Sequence, residues 1–142
     1  MLFRSKLPIA KPRKTLPIRQ VTLLILRKQS HLVLLEKRSP MGIWASLWSL
    51  PEIPGTPAPE IIRKICKERF QFTTKQLTLG DPFRHTFSHF QLEIVPALLT
   101  VKSARSKIME AEQQIWYDLK NSQTVGLPAP IKLLLNNLEK SL

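Results

Sequence analysis

The sequence predicts an α+β fold, a mixed β-sheet flanked by helices in an αβα arrangement. Three observations carry this expectation. Short β-rich apolar runs recur along the chain, and two other segments repeat apolar residues at the helical period. The length, 142 residues with 43% apolar content, suits a single domain with a full core.

The first 17 residues stand apart. They carry Pro8, Pro12 and Pro17 among Arg4, Lys6, Lys11, Arg13 and Lys14, and so read as an extended basic arm or connector; the folded domain is expected over 18–142. Val21–Leu26 and His31–Glu36 are apolar runs joined by the polar Lys28-Gln29-Ser30, a β-hairpin pattern. Residues 39–57 are broken by Pro40, Gly42, Pro51, Pro54, Gly55 and Pro57. Trp48–Ile53 reads as a short strand that Pro51 would confine to an edge. The clearest helix runs from Pro57 to Phe70, with Thr56 or Ala58 near its cap and Ile61, Ile62, Ile65, Cys66 and Phe70 on its buried face. Arg63, Lys64, Lys67 and Glu68 fall on the opposite face. Phe83–Val101 reads as two strands bending near Ser88 and His89, with Pro96 marking a bulge or edge. Gln114–Tyr117 is a short strand. Ala129–Leu142 is a closing helix with Ile131, Leu134, Leu135 and Leu138 on one face.

Charge narrows the partners. Lys plus Arg is 22 against 10 acids, a net +12, and residues 1–38 hold ten of the basic side chains with a single acid, Glu36. Polyanions head the list, with Lys11, Arg13, Lys14 and Arg84 as candidate phosphate contacts. Asp81 is an alternative partner for Arg84. One cysteine, Cys66, excludes an intramolecular disulfide, a zinc site of several cysteines or an iron–sulfur cluster built from this chain alone. No apolar run approaches the ~20 residues of a membrane span. Catalytic constellations are absent. Ser88 and His89 are adjacent and would face opposite ways on a strand, His85 and His89 lie in a strand-like rather than a helical stretch, and the acids are scattered, so no catalytic or metal-ligating residue is assigned. Alternation places His85, Phe87 and His89 on one side and Arg84, Thr86 and Ser88 on the other. Trp44, Trp48 and Trp116 read as scaffold.

Two stretches carry a family resemblance. Gly42-Ile-Trp-Ala-Ser-Leu-Trp-Ser-Leu-Pro-Glu-Ile53, followed by a helix containing Arg63-Lys64-Ile65-Cys66-Lys67-Glu68, resembles a Nudix domain. In those hydrolases the box reads Gly, five residues, Glu, seven residues, then Arg-Glu-(aliphatic)-x-Glu-Glu, and its glutamates hold magnesium. Here two of the three helical carboxylate positions are Lys64 and Lys67, and only Glu68 remains. Magnesium binds hard anionic oxygens, so metal-dependent hydrolysis is not expected. The second stretch, Phe83-Arg-His-Thr-Phe-Ser-His-Phe90 with Leu92-Glu-Ile-Val-Pro96, is similar to the C-terminal domain of the MutY adenine DNA glycosylases. Lys11-Pro-Arg-Lys-Thr-Leu-Pro17, Gly42-Ile-Trp-Ala-Ser-Leu-Trp48, Trp116-Tyr117 and Val125-Gly-Leu-Pro-Ala-Pro130 resemble further parts of it, from about residue 8 to 138.

The MutY resemblance implies a role in DNA repair. The parent family hydrolyses the N-glycosidic bond of adenine mispaired with 8-oxoguanine, using an N-terminal helical domain that carries the catalytic acids and an iron–sulfur cluster. The chain would be the C-terminal piece of such a protein, with no cofactor of its own. It would recognise 8-oxoguanine through Phe87, Ser88 and His89, with double-stranded DNA and the catalytic domain as partners. A monomer, cytoplasmic and on DNA, is expected. Two other classes remain open at this point, a free-standing magnesium-dependent Nudix hydrolase and a generic nucleic-acid or protein interaction module.

Overall fold

A computed structural model describes residues 15–104, 113–121 and 125–140. Lys11, Arg13, Lys14 and the rest of the first 14 residues lie outside the described residues, as do the last two, where the closing helix was expected to end.

In chain order the elements are β1 (Ile18–Lys28), β2 (Leu32–Lys37), β3 (Trp48–Ser49), β4 (Glu52–Pro54), α1 (Pro59–Phe70), β5 (Phe72–Leu79), β6 (Phe83–Thr86), β7 (Gln91–Ala104), β8 (Gln114–Asp118) and α2 (Ala129–Lys140). The strands form one mixed sheet. Its path runs β3-β2-β1-β7-β5, with β4 on β1, β6 on β7 and β8 on β2. The central pair, β1 and β7, is parallel from Ile18↔Gln91 to Arg27↔Thr100, and the other pairings are antiparallel.

β1 explains why its sequence is a continuous apolar run rather than an alternating one. Val21, Leu23 and Ile25 face one core with Val33, Leu35, Leu92, Ile94, Ile131 and Leu135. Leu24 and Leu26 face a second with Ile62, Cys66, Phe70, Phe72 and Leu99. A central strand covered on both faces has no polar side to show. α2 covers the first face and α1 the second, so the expected αβα layering holds.

Several local expectations are corrected. The helix begins at Pro59 rather than Pro57, with Ala58 as its N-cap and no side-chain cap; Pro59 tolerates the first turn because its missing N–H has no partner there anyway. Ile61 is 47% exposed rather than buried. Ile62, Cys66 and Phe70, each four residues apart, define the buried arc, and a 100° step per residue carries Ile61 off it. Trp48–Ile53 is two strands rather than one, because Leu50 and Pro51 break the run; the Pro51 carbonyl accepts from the Leu24 N–H at 2.8 Å. β5 had no counterpart among the expected elements. Pro96 lies in the interior strand β7, not at an edge. It falls where β7 changes partner, between Phe83↔Ile94 on β6 and Leu79↔Ala97 on β5. Its carbonyl accepts from the Gly80 N–H at 2.8 Å on that side, so its missing N–H interrupts no ladder.

Candidate functional site

The β6–β7 hairpin reverses in two residues. Thr86 pairs with Gln91, and the Phe87 N–H donates to the Phe90 carbonyl at 2.8 Å, leaving Ser88 and His89 as the tip. Both tip residues are exposed, while Phe83, His85, Phe87 and Phe90 are half-buried. Strict alternation had put His89 on the side of His85 and Phe87. The reversal carries it outward with Ser88, and Phe90 takes the inward place instead.

Beneath the tip lies an aromatic platform. Phe87 and Phe90 stack at 4.8 Å between centroids, and His85 meets Phe87 edge-on at 4.8 Å. Trp44 reaches across from the loop between β2 and β3 to within 5.9 Å of His85 and 5.7 Å of Phe87. The aromatic residues pack on the core that α2 covers. A two-residue turn has few contacts of its own, so this packing is what holds the Ser88 backbone in place.

Two arginines border the platform. Arg19 of β1 lies over the Phe90 ring at 4.6 Å, and Arg38 lies 5.8 Å from the Trp44 ring. Arg19 was not singled out in the sequence, since only the parallel β1–β7 register, with Arg19 opposite Leu92, brings it here. That register also sets the start of the described chain beside the hairpin, where the Gln91 N–H donates to the Pro17 carbonyl at 2.8 Å. Arg84 is about half-exposed. Its ion pair is with Glu93 at 3.7 Å, not with Asp81, and it donates to the Gln91 side chain at 3.3 Å. A cleft of about 250 Å³, lined by Phe83, Arg84, His85, Ala129, Pro130 and Leu133, flanks the hairpin base.

The α1 side of the sheet is different. Lys64, Lys67 and Glu68 are exposed on the helix. Counting back from Arg63 through the Nudix spacing places Gly55 where the box has its glutamate and Ser49 where it has its glycine. The nearby carboxylates are engaged by arginines: Arg69 bonds Glu36 at 2.6 Å and Arg38 bonds Glu52 at 2.5 Å. No cluster of three or more His, Cys, Asp or Glu side chains suited to a metal ion occurs among the described residues. A donor set of two ammonium groups, one free carboxylate and two arginine-neutralised ones does not fit magnesium. Cys66 lies under this face, its thiol pushed up to about 11 by burial, with Arg69 acting weakly the other way. Among the described residues no helix is long and apolar enough to cross a membrane.

The model of the NUDIX domain matches residues 21–137. The chain belongs to the NUDIX domain family. Among curated relatives, the adenine DNA glycosylase of Buchnera aphidicola subsp. Acyrthosiphon pisum is 31% identical over 138 residues, 97% of this chain and 38% of that protein. The same enzyme from Buchnera aphidicola subsp. Schizaphis graminum is 28% identical over 92% of this chain and 36% of its own length. The chain thus spans little more than a third of these relatives. Among solved structures, the C-terminal domain of mouse MUTYH, determined in complex with human PCNA, superposes with a TM-score of 0.64 at 14% identity, covering 87% of this chain and 88% of that one. The MutT NUDIX hydrolase from Burkholderia pseudomallei superposes at 0.60 with 16% identity, covering 84% and 96%. The two structures share the fold. Their likeness to this chain is one of fold, and the fold is that of the NUDIX domain that the family model matches.

Proposed function

We propose that this NUDIX domain is the lesion-recognition part of an adenine DNA glycosylase. It reads 8-oxoguanine opposite the adenine that a separate N-terminal domain of the parent protein excises. It works on DNA in the cytoplasm as a monomer, without a cofactor, and by itself hydrolyses neither nucleotides nor DNA.

One observation carries the reading: an exposed Ser88–His89 tip held on an aromatic platform and bordered by arginines. 8-Oxoguanine differs from guanine by a carbonyl at C8 and a proton on N7. A serine hydroxyl donates to the first or accepts from the second, and it is short enough to approach a base edge. Phe87 fixes the turn from below, and His89 packs beside the damaged nucleotide. Arg19 and the half-exposed Arg84 contact flanking phosphates, joined by Lys11, Arg13 and Lys14 of the arm. Phosphate contacts position the protein and the Ser88 contact supplies the discrimination.

The test compares duplexes that differ only in 8-oxoguanine or guanine opposite adenine. Replacing Ser88 with Ala lowers the preference for the damaged duplex by about two- to tenfold, the worth of one net hydrogen bond. Affinity for the undamaged duplex stays as it is. A preference unchanged by Ser88→Ala removes the assigned role.

A further inference from the structure

Met41 is 80% exposed, at the tip of the loop between β2 and β3. The loop is nonetheless held in one shape. Ser39 accepts the Met41 N–H on its hydroxyl at 3.2 Å and the Ser46 N–H on its carbonyl at 3.0 Å. The Arg38 guanidinium donates to the Ile43 carbonyl at 3.1 Å, and the Leu47 N–H to the Trp44 carbonyl at 3.1 Å. Gly42 next to Met41 sits at φ +94°, a conformation that side-chain-bearing residues rarely adopt, so the turn that projects Met41 is built in. Trp44, three residues on, joins this loop to the Ser88 hairpin through His85 and Phe87. Three residues span at most about 11 Å, so the Met41 backbone lies within that distance of Trp44, which itself packs on the hairpin.

We propose that Met41 is an apolar wedge that enters the DNA duplex beside the base read by the Ser88–His89 hairpin. The inference rests on the reading of that hairpin as the lesion reader. Two features favour DNA over a protein partner. From Lys37 to Pro51 there is no acidic residue, so the loop meets phosphates without repulsion. Met41 is the one large hydrophobic side chain that this loop exposes, an unbranched one flanked by Lys37 and Arg38 at the loop's start and by exposed Ser39 and Ser46, and not part of a broad patch. Methionine is among the side chains that proteins insert between base steps, and its three rotatable bonds let it fit an irregular gap.

The chain has three methionines, Met1, Met41 and Met109, so methyl-labelled methionine in the full chain gives a three-line spectrum in which Met41→Leu identifies one line. On titration with an 8-oxoguanine:adenine duplex, the Met41 methyl shifts upfield under the ring currents of the bases while the Phe87–His89 amides also move. Met41→Ala weakens binding about tenfold, the scale of burying one apolar side chain. The slope of affinity against salt does not change, because no phosphate contact is lost. Met41→Leu keeps most of the affinity. A 2-aminopurine placed beside the lesion brightens with the parent chain and not with Met41→Ala. Hairpin amides that move while the Met41 methyl stays still overturn the wedge and leave the hairpin reading standing. A still hairpin overturns both, whether or not the methyl moves.

Discussion

Cys66 shows what a buried titratable group does to this molecule. Its thiol is held as the neutral form by burial, at about 11 against an ordinary 9.0. The unfolded chain therefore releases this proton at a lower pH than the folded chain. Stability owed to Cys66 is complete below about pH 9 and is lost as pH rises toward 11. Urea unfolding of the parent chain and of Cys66→Ala, followed across that range, has the parent losing more stability, by an amount on the order of 2 kcal/mol. Parallel curves contradict the assignment. Below pH 9 the folded chain's thiol stays unreactive toward a disulfide reagent, since the thiolate is the nucleophile. Legibility differed sharply between residues. Cys66 was readable as core because Ile62 and Phe70 lie four residues to either side. Phe87, Ser88 and His89 stood out through the resemblance of Phe83–Phe90 to the MutY C-terminal domain; the residue pattern alone showed only a bend near Ser88 and His89. Arg19 was not readable: nothing within β1 says that its beginning lies beside Phe90, and only the parallel register with β7 puts it there. Ile61 misled because an apolar side chain at a helix start looks the same in sequence whether or not it falls on the buried arc.

At the scale of elements, β1, β2, α1 and α2 were legible because burial imprints a period or a continuous run on them. β5 was not. Phe72 is its buried anchor, but most of Thr73–Leu79 faces solvent, and register shifts with Gln76 at φ +58° interrupt the alternation that would have betrayed a strand. Pro96 argued against an interior strand for a sound reason, and the sheet accommodates it by switching partners at that residue. The switch depends on Gly80. A Cβ at Gly80 would lie 2.9 Å from Pro96 Cγ, part of a ring that cannot swing aside. Gly80→Ala therefore costs about 1–3 kcal/mol in chemical denaturation. In a Pro96→Ala background, where the crowding carbon is gone, the same change costs less than half as much, and additive costs in the two backgrounds would refute the contact.

For the whole molecule, the sheet separates two surfaces. One carries α1, where lysines stand at two of the carboxylate positions of the Nudix box. The other carries α2, the aromatic platform and the hairpin tip. The fold is one that NUDIX hydrolases share, and the box that would hold magnesium is the part this chain lacks. Composition pointed to a polyanion, with +9 of the +12 charge in the first 38 residues. It could not point to a base, because net charge reports affinity for phosphate and not discrimination between bases. In the proposed reading the discrimination falls to Ser88 and His89, whose exposed two-residue reversal takes shape only once the hairpin closes. The direct measurement is an amide-shift NMR titration at low salt with two duplexes, identical except for 8-oxoguanine or guanine opposite adenine. The expected result is that Arg19 and other basic positions shift with both duplexes, while Phe87, Ser88 and His89 shift strongly only with the lesion. Equal shifts with both duplexes, or a hairpin that moves with neither, would contradict it and leave the domain an electrostatic clamp.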